Sequence, residues 1–252
     1  MPGNNRTNRL MENIESLRNS KDSDDLWERM LGVLGQYGIQ GLLYTASHLP
    51  TIGTVSDFAD NALVRTNYDP EFMAEKMKQL DEDPFFDHAL SQTESLLWDD
   101  ASFSTYRGEL SKEEKACVDL DWDFGLVTGV NIPFQFENGR GGGAFGLHAP
   151  DMSWEEFRKI WGEHDDILTQ TVLSYDICLR ERFIGSVYSL SPREKECLLW
   201  LAAGLVPKQI AYRLGLHPKT VENQISSARK KLNASTSAQA VSKALILGVI
   251  SP

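Results

Sequence analysis

The sequence predicts an α+β protein in two parts: an N-terminal α-β-α sandwich around an antiparallel sheet, followed by an all-α C-terminal domain of four helices. Strand-like and amphipathic segments both occur before residue 180, whereas only capped helical segments follow residue 190. The net charge of −11 is divided unevenly, because nine basic and three acidic residues follow residue 187. This segment therefore carries +6 and the remainder −17. We expect domains at 1–182 and 190–252, joined by a linker at 183–189.

The length of 252 residues and the hydrophobic fraction of 41% suit one or two globular domains with substantial cores. No apolar run approaches the roughly 20 residues of a membrane helix, and the N-terminus has no signal-peptide pattern. We therefore expect a cytoplasmic protein with no membrane partner. Three widely spaced cysteines, Cys117, Cys178 and Cys197, favour buried thiols over disulfides or a zinc site.

Hydrophobic periodicity and turn residues define the elements of the N-terminal part. The predicted elements are a helix at 23–38, strands at 39–47 and 124–136, an Asn138-Gly139 turn into a further strand, and a long helix at 152–182. Strands enclosed by N-terminal and C-terminal helices indicate helices on both faces of one sheet.

The same part shows no catalytic or metal-binding pattern. Its histidines have neither HxxxH nor HExxH spacing, and there is no GxSxG and no Walker lysine. The glycine-rich segment at 139–146 lies between two predicted strands and opens no helix, which favours a hairpin over a phosphate loop. We therefore expect no metal, no cofactor, no catalytic residue and no enzymatic activity.

One carboxylate stands among aromatic residues. Asp83 precedes Pro84 and Phe85-Phe86, and Trp98 follows fifteen residues after Asp83. Two interpretations of Asp83 are open. It can cap a helix that begins at Pro84, or it can accept a hydrogen bond from an N–H group of a neutral ligand.

The C-terminal part is predicted as four short helices, whose ends are marked by caps, prolines and glycines. The marking residues are Ser191, Pro192, Glu194 and Gly204 for the first helix, Pro207 and Gly215 for the second, and Pro218 for the third. The third helix carries an apolar stripe at i, i+4, i+7 and i+11, formed by Val221, Ile225, Ala228 and Leu232.

Only three or four residues, including Gly215, join the second and third helices, which is typical of a helix-turn-helix. The face of the third helix opposite the apolar stripe carries short polar groups near its start and basic groups near its end. Short polar side chains can reach base edges, and basic ones can neutralise phosphates. These residues are Lys219, Glu222, Asn223, Ser226, Arg229 and Lys230. The alternative is a helical bundle with a solvated charged face.

Residues 190–232, LSPREKECLLWLAAGLVPKQIAYRLGLHPKTVENQISSARKKL, resemble the LuxR-type helix-turn-helix domain at nearly every framework position. The resemblance implies a dimer that binds DNA through its third helix and often pairs through its fourth. It assigns phosphate contacts to Lys219, Thr220, Arg229 and Lys230, and base contacts to Glu222, Asn223 and Ser226. The sequence departs from the family at Glu222, where a basic residue is common. A glutamate can accept a hydrogen bond from cytosine or simply weaken phosphate attraction.

The N-terminal part is similar to the autoinducer-binding domain of LuxR-type quorum-sensing regulators. The similarity rests on Asp83-Pro84, on Trp98 and on the strand FGLVTGVNIP with Gly129. It implies a pocket for an N-acyl-homoserine lactone. Asp83 would accept a hydrogen bond from the ligand amide, and Trp98 would form the wall beside the lactone.

Three positions that would face the ligand depart from this family. Phe72 stands where a tryptophan donates to the lactone carbonyl, and Lys76 stands where a tyrosine is usual. Gly146 replaces a serine or threonine that often contacts the amide carbonyl, so Tyr44 is a candidate to supply a hydroxyl instead. A missing donor opposite a buried carbonyl costs about 1–3 kcal/mol, so a ligand other than an ordinary acyl-homoserine lactone stays open.

The leading hypothesis is a transcription regulator that senses a small apolar signal and binds operator DNA as a homodimer, with RNA polymerase as a further candidate partner. The second hypothesis is a ligand-independent regulator, or a partner-binding inhibitor of a related regulator, whose N-terminal domain only dimerises. The third is an enzyme, for which no nucleophile–base pair is visible. Ligand-independent folding and dimerisation would favour the second hypothesis, and turnover of a lactone would be needed for the third.

Overall fold

The computed structural model describes residues 2–47, 62–99, 102, 108–136 and 141–251. Its contacts divide the chain into two compact units. The N-terminal unit comprises Met1–Ser20 and Leu26–Tyr175, and the C-terminal unit comprises Lys21–Asp25 and Asp176–Pro252.

A five-stranded antiparallel sheet forms the centre of the N-terminal unit, with strand order β2-β1-β5-β4-β3. Its strands are β1 (Gly41–Ser47), β2 (Leu63–Thr66), β3 (Leu96–Leu97), β4 (Gly129–Gln135) and β5 (Gly142–His148). The central strand β5 pairs with β1 and with β4, and Gly146 lies opposite Leu43 on one side and Asn131 on the other. This register brings the side chains of three strands to one face of the sheet.

Helices cover both faces of this sheet. They are α1 (Pro2–Arg18), α2 (Ser23–Gly35), α3 (Pro70–Lys76), α4 (Pro84–Ser91), α5 (Lys112–Asp123) and α6 (Trp154–Cys178). A 3₁₀ segment, Met77–Glu82, continues α3, and a π-helical turn, Leu179–Phe183, followed by α7 (Ile184–Val187), continues α6.

The alternation of side chains along β1 and β5 separates two environments. On one face, Tyr44 and Phe145 pack against Tyr175 of α6, with ring centroids 5.4 and 6.2 Å apart, and Trp27 of α2 packs on the same tyrosine. On the other face, α4 packs against β4 and β5. The predicted α-β-α sandwich is therefore confirmed.

Two helices on the second face begin with the same Asp-Pro pair. Asp69 caps α3 by accepting from the backbone N–H of Glu71, and Asp83 caps α4 by accepting from the N–H of Phe85 at 3.0 Å. A proline at the first helical position lacks the N–H group that would be left without a helical partner, so the pair sets a firm helix start.

The C-terminal unit contains the four predicted helices, α8 (Pro192–Ala202), α9 (Pro207–Leu214), α10 (Pro218–Lys231) and α11 (Ser237–Ile246). Ser191 and Glu194 form the predicted capping box, and Gly204 and Gly215 have φ of 87° and 65° after the ends of α8 and α9. The left-handed conformation at these two turns favours glycine. A separate core holds the helices together, with Cys197, Ile210, Ala211, Val221 and Ile225 at its centre.

Most expected elements begin and end within five residues of their predicted ends. The Asn138-Gly139 turn lies outside the described residues. The predicted linker at 183–189 contains α7, and the boundaries 182/183 and 189/190 stay a prediction. All three cysteines are buried free thiols, as expected. In the described segments, no helix combines the length and apolar content needed to cross a bilayer.

Candidate functional site

A cavity of about 110 Å³ lies between the sheet and α3, α4 and α5. This volume is several times the ~10–15 Å³ that one water molecule requires, so the cavity can accept part of an organic molecule. Its wall is mostly apolar. The lining residues are Leu43, Thr45, Ala62, Val64, Tyr68, Phe72, Met73, Lys76, Met77, Leu80, Asp83, Phe85, Phe86, Ala89, Trp98, Asp121, Leu126, Asn131, Ala144 and Gly146.

Three charged side chains meet in the wall of this cavity. The Lys76 ammonium lies 2.6 and 2.8 Å from the two carboxylate oxygens of Asp121, and 3.2 Å from Oδ2 of Asp83. All three residues are buried, at 8%, 6% and 6% exposure. Burial lowers the pKa of Lys76, but the two carboxylates outweigh burial, and the net shift is upward. Lys76 therefore stays charged.

The pKa of Asp121 is raised, first by burial and also by the negative charge of Asp83, against the opposing effect of Lys76. The cause is that two carboxylates share one cation in a site that excludes most water. This small cluster is the most polar part of the cavity wall.

Both interpretations of Asp83 agree with its position. Its Oδ1 accepts from the backbone N–H of Phe85 and caps α4, while its Oδ2 faces Lys76. The same side chain lines the cavity. Helix capping therefore holds Asp83 in place and leaves its second oxygen able to contact a ligand.

A second set of hydrogen bonds in the cavity wall involves Asn131 of β4 and Gly146 of β5. The indole N–H of Trp98 donates to Oδ1 of Asn131 at 3.1 Å, and the amide of Asn131 donates to the carbonyl of Phe85 at 3.2 Å. The hydroxyl of Tyr68 donates to the carbonyl of Gly146 at 2.9 Å. Burial raises the pKa of Tyr68 well above its usual value, so its hydroxyl stays protonated.

The other residues predicted to bind the ligand have mixed outcomes. Phe72 is buried in the cavity wall against Tyr68 and Phe124, and Gly146 lies in the wall beside the Tyr68 hydroxyl. The structure contradicts the prediction that Tyr44 supplies a hydroxyl to the ligand, because the Tyr44 ring lies on the opposite face of the sheet. Leu43 and Thr45 face the cavity, and strand alternation directs Tyr44 toward the aromatic core.

The predicted DNA-binding residues lie along one helix, α10. Val221, Ile225 and Ala228 are buried, which leaves the opposite face of the helix to solvent. The exposed residues on that face are Lys219, Thr220, Glu222, Asn223, Ser226 and Lys230. Lys219 forms an ion pair with Glu222 at 3.2 Å, so the acidic departure is partly neutralised within the same turn.

Arg229 differs from the other predicted contacts. It is half-buried, and its guanidinium donates to the carbonyl of Ser235 in the turn after α10. Two residues further along, Lys231 forms an ion pair with the buried Glu194 at 2.8 Å and donates to the carbonyl of Ser189. The basic end of α10 therefore contributes to the structure of the unit as well as to its charge.

No group of three or more metal-ligating side chains occurs in the part of the chain that the structure describes.

Comparison with known proteins finds a family model for each of the two units. A family model described as the autoinducer binding domain matches residues 22–175, more than half of the chain. A second model, described as bacterial regulatory proteins of the luxR family, matches residues 188–244. The chain belongs to the LuxR family of quorum-sensing transcriptional regulators.

Relatives that match nearly the whole chain support the same family. The transcriptional activator protein VanR of Vibrio anguillarum is 26% identical over 97% of this chain and 98% of its own. The transcriptional activator protein LuxR of Aliivibrio fischeri is 22% identical over 98% and 95%. The structure of Escherichia coli SdiA in complex with octanoyl-rac-glycerol shares the fold, with a TM-score of 0.51 and 18% identity over 98% of this chain and 96% of that one.

Membership of the LuxR family confirms that the chain is a regulator and not an enzyme. Sequence reasoning nevertheless missed Tyr68, Asn131 and Asp121 as parts of the cavity. A signal existed for two of them. Asn131 is a buried polar residue between apolar neighbours on β4, and Asp121 shares the buried face of α5 with Cys117. The pairing of Asp121 with Lys76 had no local signal, because the two residues are 45 positions apart.

Proposed function

We propose that this LuxR-family regulator binds a small signal molecule in the N-terminal cavity and operator DNA through α10, acting as a homodimer in the cytoplasm, where its DNA target lies. The observation that carries the proposal is that one chain combines a mostly apolar cavity with a helix that has an exposed polar and basic face. A signal that binds the folded form more tightly than other forms shifts the population toward it.

The apolar lining suits an acyl chain, and an N-acyl-homoserine lactone is the ligand class suggested by the family. The octanoyl ligand of SdiA supports an acyl chain in this fold. Asp83 can accept from the ligand amide through Oδ2, while Trp98 and Phe85 provide flat apolar walls. Phe72 lacks a donor for a lactone carbonyl. The binding of a lactone is therefore tested first.

The test is the melting temperature of the full chain, purified without added ligand, against acyl-homoserine lactones of six to twelve carbons. We expect an upward shift that grows with concentration, because a ligand that binds only the folded state adds RT ln(1 + [L]/Kd) to stability. A folded, dimeric chain whose melting temperature no lactone changes would instead support a ligand-independent regulator or an inhibitor of a related regulator.

The second test selects DNA sites from a library of random duplexes. A dimer with two α10 helices in successive major grooves should enrich an inverted repeat whose half-sites are centred about 10 base pairs apart, or a multiple of that distance. Enrichment of single half-sites would contradict the dimer, and no enrichment would contradict DNA recognition by α10. Recruitment of RNA polymerase is a further proposal, tested by transcription in vitro from the enriched site.

A further inference from the structure

One polar side chain in the cavity wall has no partner in the protein. Thr45 of β1 is 8% exposed and lines the cavity. Its hydroxyl forms no hydrogen bond with any residue that the structure describes. A hydroxyl group can donate one hydrogen bond and accept two. Because the protein surrounds the rest of the residue, this hydroxyl can find a partner only in what occupies the cavity.

The surroundings of Thr45 within the wall are apolar. In the register of the sheet Thr45 lies between Val64 of β2 and Ala144 of β5, and the next residue of β1 that faces the cavity is Leu43. None of these three side chains carries a donor or an acceptor. An unsubstituted hydrocarbon chain at this place would displace water from the hydroxyl and would offer no hydrogen bond in return, which is costly for a buried polar group.

The groups proposed to hold the ligand amide lie across the sheet from Thr45. Trp98 donates to Asn131 of β4, and the amide of Asn131 donates to the carbonyl of Phe85 on α4. Asp83 caps the same helix. Strands β4 and β1 lie on opposite sides of β5. In the register, Thr45 is two strands and two residues from Asn131, about 12 Å between Cα atoms on a regular sheet.

We propose that Thr45 selects a ligand with a second polar group, a hydroxyl or a keto oxygen, on the acyl chain at a distance from the amide. This inference rests on the proposed function, since it specifies the chain of the ligand in the same cavity. A polar substituent that reaches Thr45 forms a hydrogen bond with it. A substituent elsewhere on the chain lies against apolar residues such as Val64 and loses its own water without compensation.

The experiment compares N-acyl-homoserine lactones with a ten-carbon chain, either unsubstituted or with a single hydroxyl at carbon 3, 5, 7 or 9. Dissociation constants are measured by calorimetry on the full chain. We expect one hydroxyl position to bind on the order of tenfold more tightly than the unsubstituted compound, because the hydroxyl of Thr45 is then paired. The hydroxyl positions furthest from that one should bind no more tightly than the unsubstituted compound.

Thr45→Val removes the hydroxyl and keeps the β-branched shape that suits a strand. We expect this variant to bind the unsubstituted compound more tightly than the unmodified chain does, and to lose the preference for the hydroxylated compound. Thr45→Ser is the matched control, because serine keeps the hydroxyl and should keep the preference. Melting temperatures without ligand check that both variants fold.

The outcomes separate this inference from the proposed function. If the lactones bind but no hydroxyl position improves binding, the inference is overturned and the proposed function stands. An equal preference in Thr45→Val and the unmodified chain would overturn it too, because the hydroxyl would then have no part in the selection. Loss of the preference in Thr45→Ser as well as in Thr45→Val would assign the selection to shape and would also overturn it. If no compound binds to any of the three proteins, lactone sensing and this inference fail together.

Discussion

At the scale of single residues, Gly129 links the backbone to the cavity wall. A Cβ at this position would lie 2.5 Å from the indole of Trp98 and would also collide with the carbonyl of Leu147. The absence of a side chain is therefore what lets the Trp98 ring lie against β4. Any larger residue must displace both the indole and the backbone of β5 that pairs with β4.

Gly129→Ala should destabilise the chain by about 1–3 kcal/mol, the usual cost of overpacking a filled site. It should also remove ligand stabilisation, because Trp98 can no longer keep its place. Gly162→Ala is the matched control, since a Cβ there meets no atom within 4 Å and alanine is the better helix former by about 1 kcal/mol. Thermal and urea unfolding of both variants measure the difference, and equal stability of the two would contradict the clash.

Glu194 is the residue that most clearly couples stability to pH. Burial raises its pKa, but hydrogen bonds from Lys231, Ser227 and Ser191 outweigh burial and lower the pKa to about 2. The unfolded value is near 4.5. The folded carboxylate therefore adds stability that is complete above pH 4.5 and is lost as the pH falls toward 2.

Glu194→Gln should destabilise the chain by roughly 1.5–3 kcal/mol at pH 7, the range for hydrogen bonds to charged groups. Glutamine keeps the capping bond to the N–H of Ser191 but loses the charge that attracts Lys231. The difference from the unmodified chain should shrink between pH 4.5 and 2, which comparison of urea unfolding at several pH values measures. Glu196→Gln, at an exposed ion pair with Arg193, is the control, because surface changes of this kind stay within about 0.5 kcal/mol.

Among the cavity residues, the sequence predicted those that carry a local pattern. Asp83 stands before a proline, and Trp98 follows at a spacing that resembles a known family. Lys76 and Asp121 lie on different helices, and only the packing of α3 against α5 brings their charges together. Tyr44 was placed in the cavity because of its hydroxyl, but its face depends on the register of β1, which a tyrosine among apolar residues does not reveal.

At the scale of elements, α10 is held at its C-terminal end by a buried lysine from α11. Lys243 is 4% exposed, and its ammonium donates to the carbonyls of Leu232 at 3.2 Å and Asn233 at 2.7 Å. The last carbonyls of a helix lack helical partners and carry partial negative charge. Lys243 therefore ties the end of α10 to α11.

Lys243→Met should destabilise the chain by about 1–3 kcal/mol, because the carbonyls of Leu232 and Asn233 lose a charged donor and the bond to Leu232 is buried. Amide hydrogen exchange in the last turn of α10 should become faster. Lys208→Met on α9 is the control, since Lys208 is exposed and such surface changes stay within about 0.5 kcal/mol. If exchange in that turn is no faster in Lys243→Met than in Lys208→Met, the tie is not needed.

Helix boundaries were the most predictable part of the fold. The capping box at Ser191 and the prolines at the start of α9 and α10 each define a helix start through local bonding alone. The short strands β2 and β3, of four and two residues, were not predicted. Segments of that length hold too few residues for alternation to emerge, and their pairing depends on neighbouring strands.

At the scale of the whole molecule, charge is separated along the chain. The part before residue 188 carries −17 and the part after it +6. Phosphates would be attracted to the second part and repelled by the first, so we expect DNA to approach residues 188–252. Binding should therefore depend steeply on salt, even though the molecule as a whole is acidic.

Lys230→Ala and Asn223→Ala should separate the two kinds of DNA contact. Both residues are exposed on α10. Loss of Lys230 should weaken binding to all duplexes alike and reduce the slope of log K against log salt by about 1. Loss of Asn223 should leave the slope unchanged and reduce discrimination against a mismatched site. Fluorescence anisotropy at several salt concentrations measures both, and an exchange of the two behaviours would contradict the assignment.

The bonds between Trp98 and Asn131, and between Tyr68 and Gly146, have a consequence for how fast a cell can respond. Because these groups bond to one another, we expect the chain to fold and persist before any signal arrives. Folded regulator would then already be present when a signal appears. The response time would be set by diffusion of a small molecule and not by translation of new protein. When the signal is diluted, the regulator would return to its ligand-free form. The response to a past signal would therefore last only as long as a bound molecule stays in the cavity.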